Sequence, residues 1–211
     1  MKKYILFDND GVLVHTEPLY FKANIITLKE HFNLSLEFDE YMKIMSEGTT
    51  VWQKAIDRGF LEKDIIYARE KRNEYYQEFL RSENILIHGV KDILKELSKN
   101  YKMGIVTTSR RVDFEIIHKN LGLVDFMDFV LCEEDYEFAK PHPQPYLKGL
   151  EILGANKNEA IVVEDSKRGL TSAYKAGIEC VIVKNEFTIT QDFSQATYFI
   201  DSLKELQAIL N

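Results

Sequence analysis

Four carboxylates fall in two close pairs, Asp8 with Asp10 and Glu164 with Asp165, each directly behind a short apolar run: Tyr4-Ile5-Leu6-Phe7 and Ile161-Val162-Val163. If both runs are strands of one parallel sheet, the pairs meet at one rim, outside the carboxyl ends of the strands, where open α/β sheets hold ligands. Acids gathered in this way repel one another unless protonation or a divalent cation relieves them. An all-oxygen donor set without His or Cys suits Mg2+ better than zinc. Any one of these acids could instead cap the helix that follows it, Asp165 or Ser166 most readily, but that reading fits all four together poorly.

A cation held by carboxylates invites a phosphate, whose remaining oxygens need positive charge and hydrogen-bond donors. Thr107 and Thr108 follow the run Met103-Gly104-Ile105-Val106 and offer hydroxyls and amides at an expected helix start. Lys140 offers a point charge on a loop stiffened by three of the chain's four prolines, Pro141, Pro143 and Pro145. A plain loop entering a helix is the alternative for that stretch.

The elements that must position these residues follow from hydrophobic patterning. Uninterrupted apolar runs at 4–7, 103–106, 129–131 and 161–163 read as strands buried on both faces, with two more at 180–183 and 197–200. Helical patterns lie between them: Val90 to Leu97, Phe114 to Leu121, Tyr146 to Leu153, a stretch from Ser166 as N-cap to Gly177 as stop, and a last helix from an Asp201 cap through Leu206 and Ile209. The alternation predicts an α/β fold, a doubly wound parallel sheet. The first crossover, His15 to His88, is far longer than the dozen or so residues such a connection needs. Thr16 as cap and Pro18 in the first turn start a helix whose apolar face is Phe21, Ile25, Leu28 and Phe32, and further helices are expected at 39–45, 50–58 and 64–80. The reading is an inserted helical domain at 15–88, with 1–14 and 89–211 forming the core domain.

Composition bounds the partners. With 211 residues and a formal charge of -7, the chain can bury a real core, and its overall field opposes a phosphate backbone, so nucleic acid is not an expected partner. The apolar run after Met1-Lys2-Lys3 is too short for a signal peptide or a membrane span, and two cysteines make no disulfide framework. A cytoplasmic location with no membrane partner is expected, and, without a heptad run, a monomer.

The run Asp8-Asn9-Asp10-Gly11-Val12-Leu13, Thr107 after a strand, Lys140-Pro141-His142-Pro143, and Glu164-Asp165-Ser166 with Gly169 resemble the four ordered motifs of the haloacid dehalogenase-like (HAD) superfamily. The resemblance covers nearly the whole chain and is greatest to the branch with a helical cap that includes β-phosphoglucomutases and sugar-phosphate phosphatases. It implies a Rossmann-like core and a Mg2+-dependent phosphatase acting on a small phosphorylated metabolite. Asp8 would be the nucleophile that becomes an aspartyl phosphate and Asp10 the acid/base. Asp8, the backbone carbonyl of Asp10, and Asp165 would hold the metal, with Glu164 a ligand or the holder of a metal-bound water. Thr107 and Lys140 would bind the phosphoryl oxygens. On the inserted cap, candidate specificity residues are Thr16, Glu17, Tyr20 and Thr49, with Glu47, Thr50 and Trp52 behind them.

Departures from the pattern also inform. Asp10 argues against a dehalogenase, which has no leaving alkoxide to protonate. Asn9 stands where this branch usually has an apolar or aromatic residue, and His15 where it usually has Asp. Mutase members carry a His at the position of Tyr20 and a Ser-Arg pair within the stretch that here reads Gly48-Thr49-Thr50-Val51, so hydrolysis is favoured, with the phosphosugar mutase as alternative. A phospho-receiver shares acids, Thr and Lys but places its phosphorylated Asp in mid-chain and has no such insertion. A non-catalytic phospho-ligand-binding protein is the remaining alternative of another class.

Overall fold

The computed structural model describes residues 1–210. Strand β1 (Tyr4–Phe7) is followed by α1 (Glu17–Phe32), α2 (Phe38–Glu47), α3 (Gln53–Asp57) and α4 (Glu62–Ser82). Then come α5 (Val90–Leu97), β2 (Lys102–Val106), α6 (Arg111–His118), β3 (Phe129–Leu131), α7 (Gln144–Leu153), β4 (Ala160–Glu164), α8 (Lys167–Ala176), β5 (Glu179–Val183), β6 (Tyr198–Ile200) and α9 (Leu206–Leu210). The chain divides into two compact units, Met1–His15 with Ile85–Asn211, and Thr16–Asn84.

The first unit is a six-stranded parallel sheet in the order β3-β2-β1-β4-β5-β6, the doubly wound α/β architecture. The order reverses at β1, which pairs with β2 on one side (Tyr4 opposite Lys102) and β4 on the other (Tyr4 opposite Ala160). Ile5, Leu6, Phe7, Met103, Ile105, Val106, Val162 and Val163 are wholly enclosed, which is why these strands read as unbroken apolar runs and not as alternating ones. Among the described residues no helix is long and apolar enough to cross a membrane.

Several boundaries move. Helix α6 begins at Arg111, earlier than its apolar pattern suggests, because the backbone N–H of Arg111 donates to the carboxylate of Glu134; it stops at His118, where the chain turns toward Gly122. Thr107 and Thr108 therefore lie in the loop before α6 and not at its first turn. At the C-terminus Ser202, and not Asp201, is the cap: its hydroxyl accepts from Lys204 N–H and Glu205 returns a bond to the Ser202 N–H, closing a short 3-10 turn ahead of α9. Ser166 caps α8 as expected, accepting from the Gly169 N–H, and Gly177 ends that helix with φ +72°.

In the helical unit α1 lies along α4. Thr16 precedes α1 without a side-chain cap bond. The buried stripe of α1 is Ala23, Asn24, Thr27, Leu28 and Phe32, while Phe21 and Ile25 are half-buried. The stripe is turned from the expected face because α4 buries a cation there: Arg72 donates to Asn24 Oδ1 at 3.2 Å and stands 4.2 Å from the centroid of the Tyr20 ring. Phe21 packs instead on Phe38 and Tyr41 of α2.

Candidate active site

The ends of β1, β2 and β4 deliver Asp8, Asp10, Thr107, Glu164 and Asp165 to one rim of the sheet, and the loop before α7 brings Lys140 among them. Lys140 is almost fully buried. Its ammonium donates to Asp8 Oδ1 at 2.7 Å, Glu164 Oε1 at 2.6 Å and the Val106 carbonyl at 2.8 Å, and lies 4.8 Å from the centre of the Tyr146 ring. Burial alone would lower its pKa, but the two carboxylates more than offset this and hold the lysine above its ordinary value.

One ammonium serves two buried acids unequally. Glu164 also accepts from the Tyr146 hydroxyl at 2.6 Å and from the Ser166 hydroxyl at 3.0 Å. Burial raises its pKa, but Lys140 and these donors bring it below the ordinary carboxylate value. Asp8 goes the other way: burial raises it to about 7, Lys140 opposing and the Glu164 and Asp10 carboxylates adding to the rise. Asp8 is therefore the acid that gains most from a further positive charge.

Asp8, Glu164 and Asp165 can each place a carboxylate oxygen so that all lie within 4.8 Å of one another, a hard-oxygen set that fits Mg2+. Asp165 is steadied by Asn185, whose amide donates to its Oδ2 at 2.7 Å. Gly11 permits this approach: its φ is +78°, and a β-carbon there would stand 2.1 Å from Asp165 Oδ2. On the other flank Asp10 Oδ2 accepts from Ser109 Oγ at 2.6 Å and Thr107 Oγ1 at 3.3 Å. Thr107 is itself held by Tyr136, which donates to its carbonyl at 2.5 Å.

The rim thus unites Asp8, Asp10, Thr107, Lys140, Glu164 and Asp165. Thr108 is turned aside, its hydroxyl accepting from Arg168 of α8 at 3.0 Å. The cap candidates belong to the helical unit. Thr16 is buried, Glu17 accepts from the Tyr41 hydroxyl, Tyr20 meets Tyr76 edge-on, and Thr49 is exposed after α2; Trp52 is core. Ser109, Tyr146 and Asn185 were not anticipated. Ser109 was within reach of the Thr107-Thr108 argument, and Asn185 follows β5, so the strand-end rule covers it; Tyr146 carries no such signal, being a helical aromatic.

Residues 5–183 match the family model described as haloacid dehalogenase-like hydrolase. The chain is 28% identical over 211 residues to pyrophosphatase PpaX of Bacillus mycoides (strain KBAB4), an alignment covering 98% of this chain and 96% of that protein. Among solved structures, CbbY from Rhodobacter sphaeroides in complex with phosphate is 25% identical, with a TM-score of 0.81 over 98% of this chain and 96% of that one. A predicted phosphoglycolate phosphatase from Haemophilus somnus 129PT shares the fold at a TM-score of 0.86 and 22% identity, covering 100% of this chain and 98% of that one. The chain belongs to the haloacid dehalogenase-like hydrolase family and is an enzyme of that class.

Proposed function

We propose that the protein is a Mg2+-dependent phosphatase that hydrolyses a small phosphomonoester, a sugar phosphate or similar metabolite, through an aspartyl phosphate on Asp8. The observation that carries this reading is the buried Asp8–Lys140–Glu164 array set beside Asp10 at the point where the strand order reverses. Similarity to a pyrophosphatase and to an enzyme crystallised with phosphate supports it.

The residues divide the work. Lys140 fixes one oxygen of Asp8 and would share its charge with the phosphoryl oxygens, which Thr107 would also meet. Asp8, Asp165 and the Asp10 carbonyl would hold Mg2+, with Glu164, already occupied by Lys140, Tyr146 and Ser166, better suited to orienting than to direct ligation. When bound, the cation supplies charge neutralisation to nucleophile and phosphate. A carboxylate oxygen of Asp8 attacks phosphorus, the ester P–O bond breaks, and Asp10 gives its proton to the departing oxygen. Asp10, now a carboxylate, takes a proton from water as that water attacks the phosphoenzyme, releasing inorganic phosphate and restoring Asp8. Selection among esters falls to the helical unit, with Thr16, Glu17, Tyr20 and Thr49 as candidates.

Phosphate release from a panel of small phosphomonoesters, with and without Mg2+, tests the reading. Asp8→Asn should lower turnover by at least about 10³-fold with the fold intact. A variant that keeps near-wild-type rates would remove Asp8 from the nucleophile's role.

A further inference from the structure

Asn9 lies between the two acids Asp8 and Asp10 and is wholly buried. A buried carboxamide is costly unless it is hydrogen-bonded. Both its ends are engaged: Oδ1 is 2.7 Å from His118 Nε2, at the last residue of α6, and Nδ2 donates to Asp10 Oδ2 at 3.3 Å. The imidazole packs against Phe114, with ring centres 4.2 Å apart, and its Nδ1 is buried with no hydrogen-bond partner among the described residues.

The direction of this chain of bonds is fixed by elimination. Burial holds the His118 pKa down to about 4, so near neutrality the ring carries one proton. On Nδ1 that proton would meet no acceptor, and the Nε2 lone pair would face Asn9 Oδ1 at hydrogen-bond distance. Turning the amide over to repair this would aim Oδ1 at the Asp10 carboxylate, acceptor against acceptor. Only one arrangement satisfies every contact: His118 Nε2–H donates to Asn9 Oδ1, and Asn9 Nδ2–H donates to Asp10 Oδ2. Three donors, from Asn9, Thr107 and Ser109, then converge on one oxygen of Asp10.

We propose that His118 and Asn9 are positioning residues, His118 locking the Asn9 amide so that it, with Ser109, holds the Asp10 carboxylate in one orientation for proton transfer. This rests on the reading of Asp10 as the acid/base. A helix end behind the rim thereby sets the geometry of a group it never touches.

The test uses p-nitrophenyl phosphate with Mg2+, whose leaving group departs without help from an acid. Misplacing Asp10 should then spare the first chemical step and slow the second. His118→Phe keeps the ring stacking and removes the donor. It should lower kcat about tenfold, part of the roughly 10²–10⁴-fold that general acid–base catalysis supplies, with KM falling in proportion so that kcat/KM is unchanged, and a burst of p-nitrophenolate nearing one equivalent per enzyme. His118→Gln, whose amide N–H reaches the same place, should recover most of kcat and abolish the enlarged burst. Long-range 1H–15N spectra of the wild type at neutral pH should show His118 with its proton on Nε2, whether or not any ester turns over. Wild-type kinetics in His118→Phe, a loss that His118→Gln does not rescue, or a proton on Nδ1 overturns the positioning role alone. A wild type that releases no phosphate from any ester, with Nε2 protonated, overturns the phosphatase reading and the catalytic use of the relay with it.

Discussion

Asp8 and Glu164 share one lysine yet sit on opposite sides of the ordinary carboxylate range, and the difference lies in their other neighbours. Tyr146 and Ser166 donate to Glu164, while Asp8 has the carboxylates of Glu164 and Asp10 beside it. That asymmetry separates a structural acid from a reactive one at a single ammonium. His118 gives the residue scale a prediction of its own. The unfolded chain takes up a proton on this imidazole below about pH 6.5, the folded chain only below about 4, because burial disfavours the charged ring. Stability is therefore fully present above the unfolded value and is lost as pH falls between the two, by up to about 3 kcal/mol. Urea unfolding of the wild type and His118→Phe across that window should show a steeper acid loss in the wild type; parallel profiles would mean the ring is already solvated. At this scale the acids, Thr107 and Lys140 were legible because strand ends dictate where they go. His118 was not, because its link to Asn9 spans 109 positions of chain and depends on how α6 lies over the sheet.

Strands were the most legible elements, since burial on both faces leaves apolar runs that turn residues bound sharply. Helix limits were less so, because α6 and α9 are set by Glu134 and Ser202 and not by their apolar stripes. The face of α1 was misread for a related reason: a buried arginine, Arg72, recruits Asn24 where the pattern favoured Phe21 and Ile25. Packing of α8 against β4 offers a test at this scale. Gly169 sits in the first turn of α8, and a β-carbon there would lie 1.8 Å from Glu164 Cδ. Helix propensity alone makes Gly169→Ala a gain of about 1 kcal/mol. Overpacking of roughly 1–3 kcal/mol, together with displacement of Glu164 from Lys140, should win. We expect a net loss of about 1–3 kcal/mol in denaturant unfolding; a neutral or stabilised variant would show that Glu164 has room to move.

At the level of the whole molecule, the proposed cation links a site to global stability. A ligand that binds only the native state at a hundred times its Kd adds about 2.7 kcal/mol, which in a chain of this length corresponds to roughly 5–10 °C in Tm. Mg2+ should raise the melting temperature of the wild type by about that amount and that of Asp165→Asn much less. Equal shifts in both would place the ion elsewhere. The helical insertion was legible as an anomalous crossover, but its inner packing was not, since four helices of modest amphipathicity admit several arrangements.

The position of β1 at the reversal of the sheet also has a consequence for biosynthesis. This apolar strand is synthesised well ahead of its first pairing partner: β2 starts 98 residues later, at Lys102 opposite Tyr4. At about 5–20 residues per second, the nascent chain waits on the order of 5–20 s before β1 can find a neighbour. During that interval the helical segment, whose α1 and α4 pack on one another, has been synthesised and can begin to fold. The segment of chain that will carry the nucleophile is thus, during synthesis, an unpaired apolar strand and a natural client for a holding chaperone.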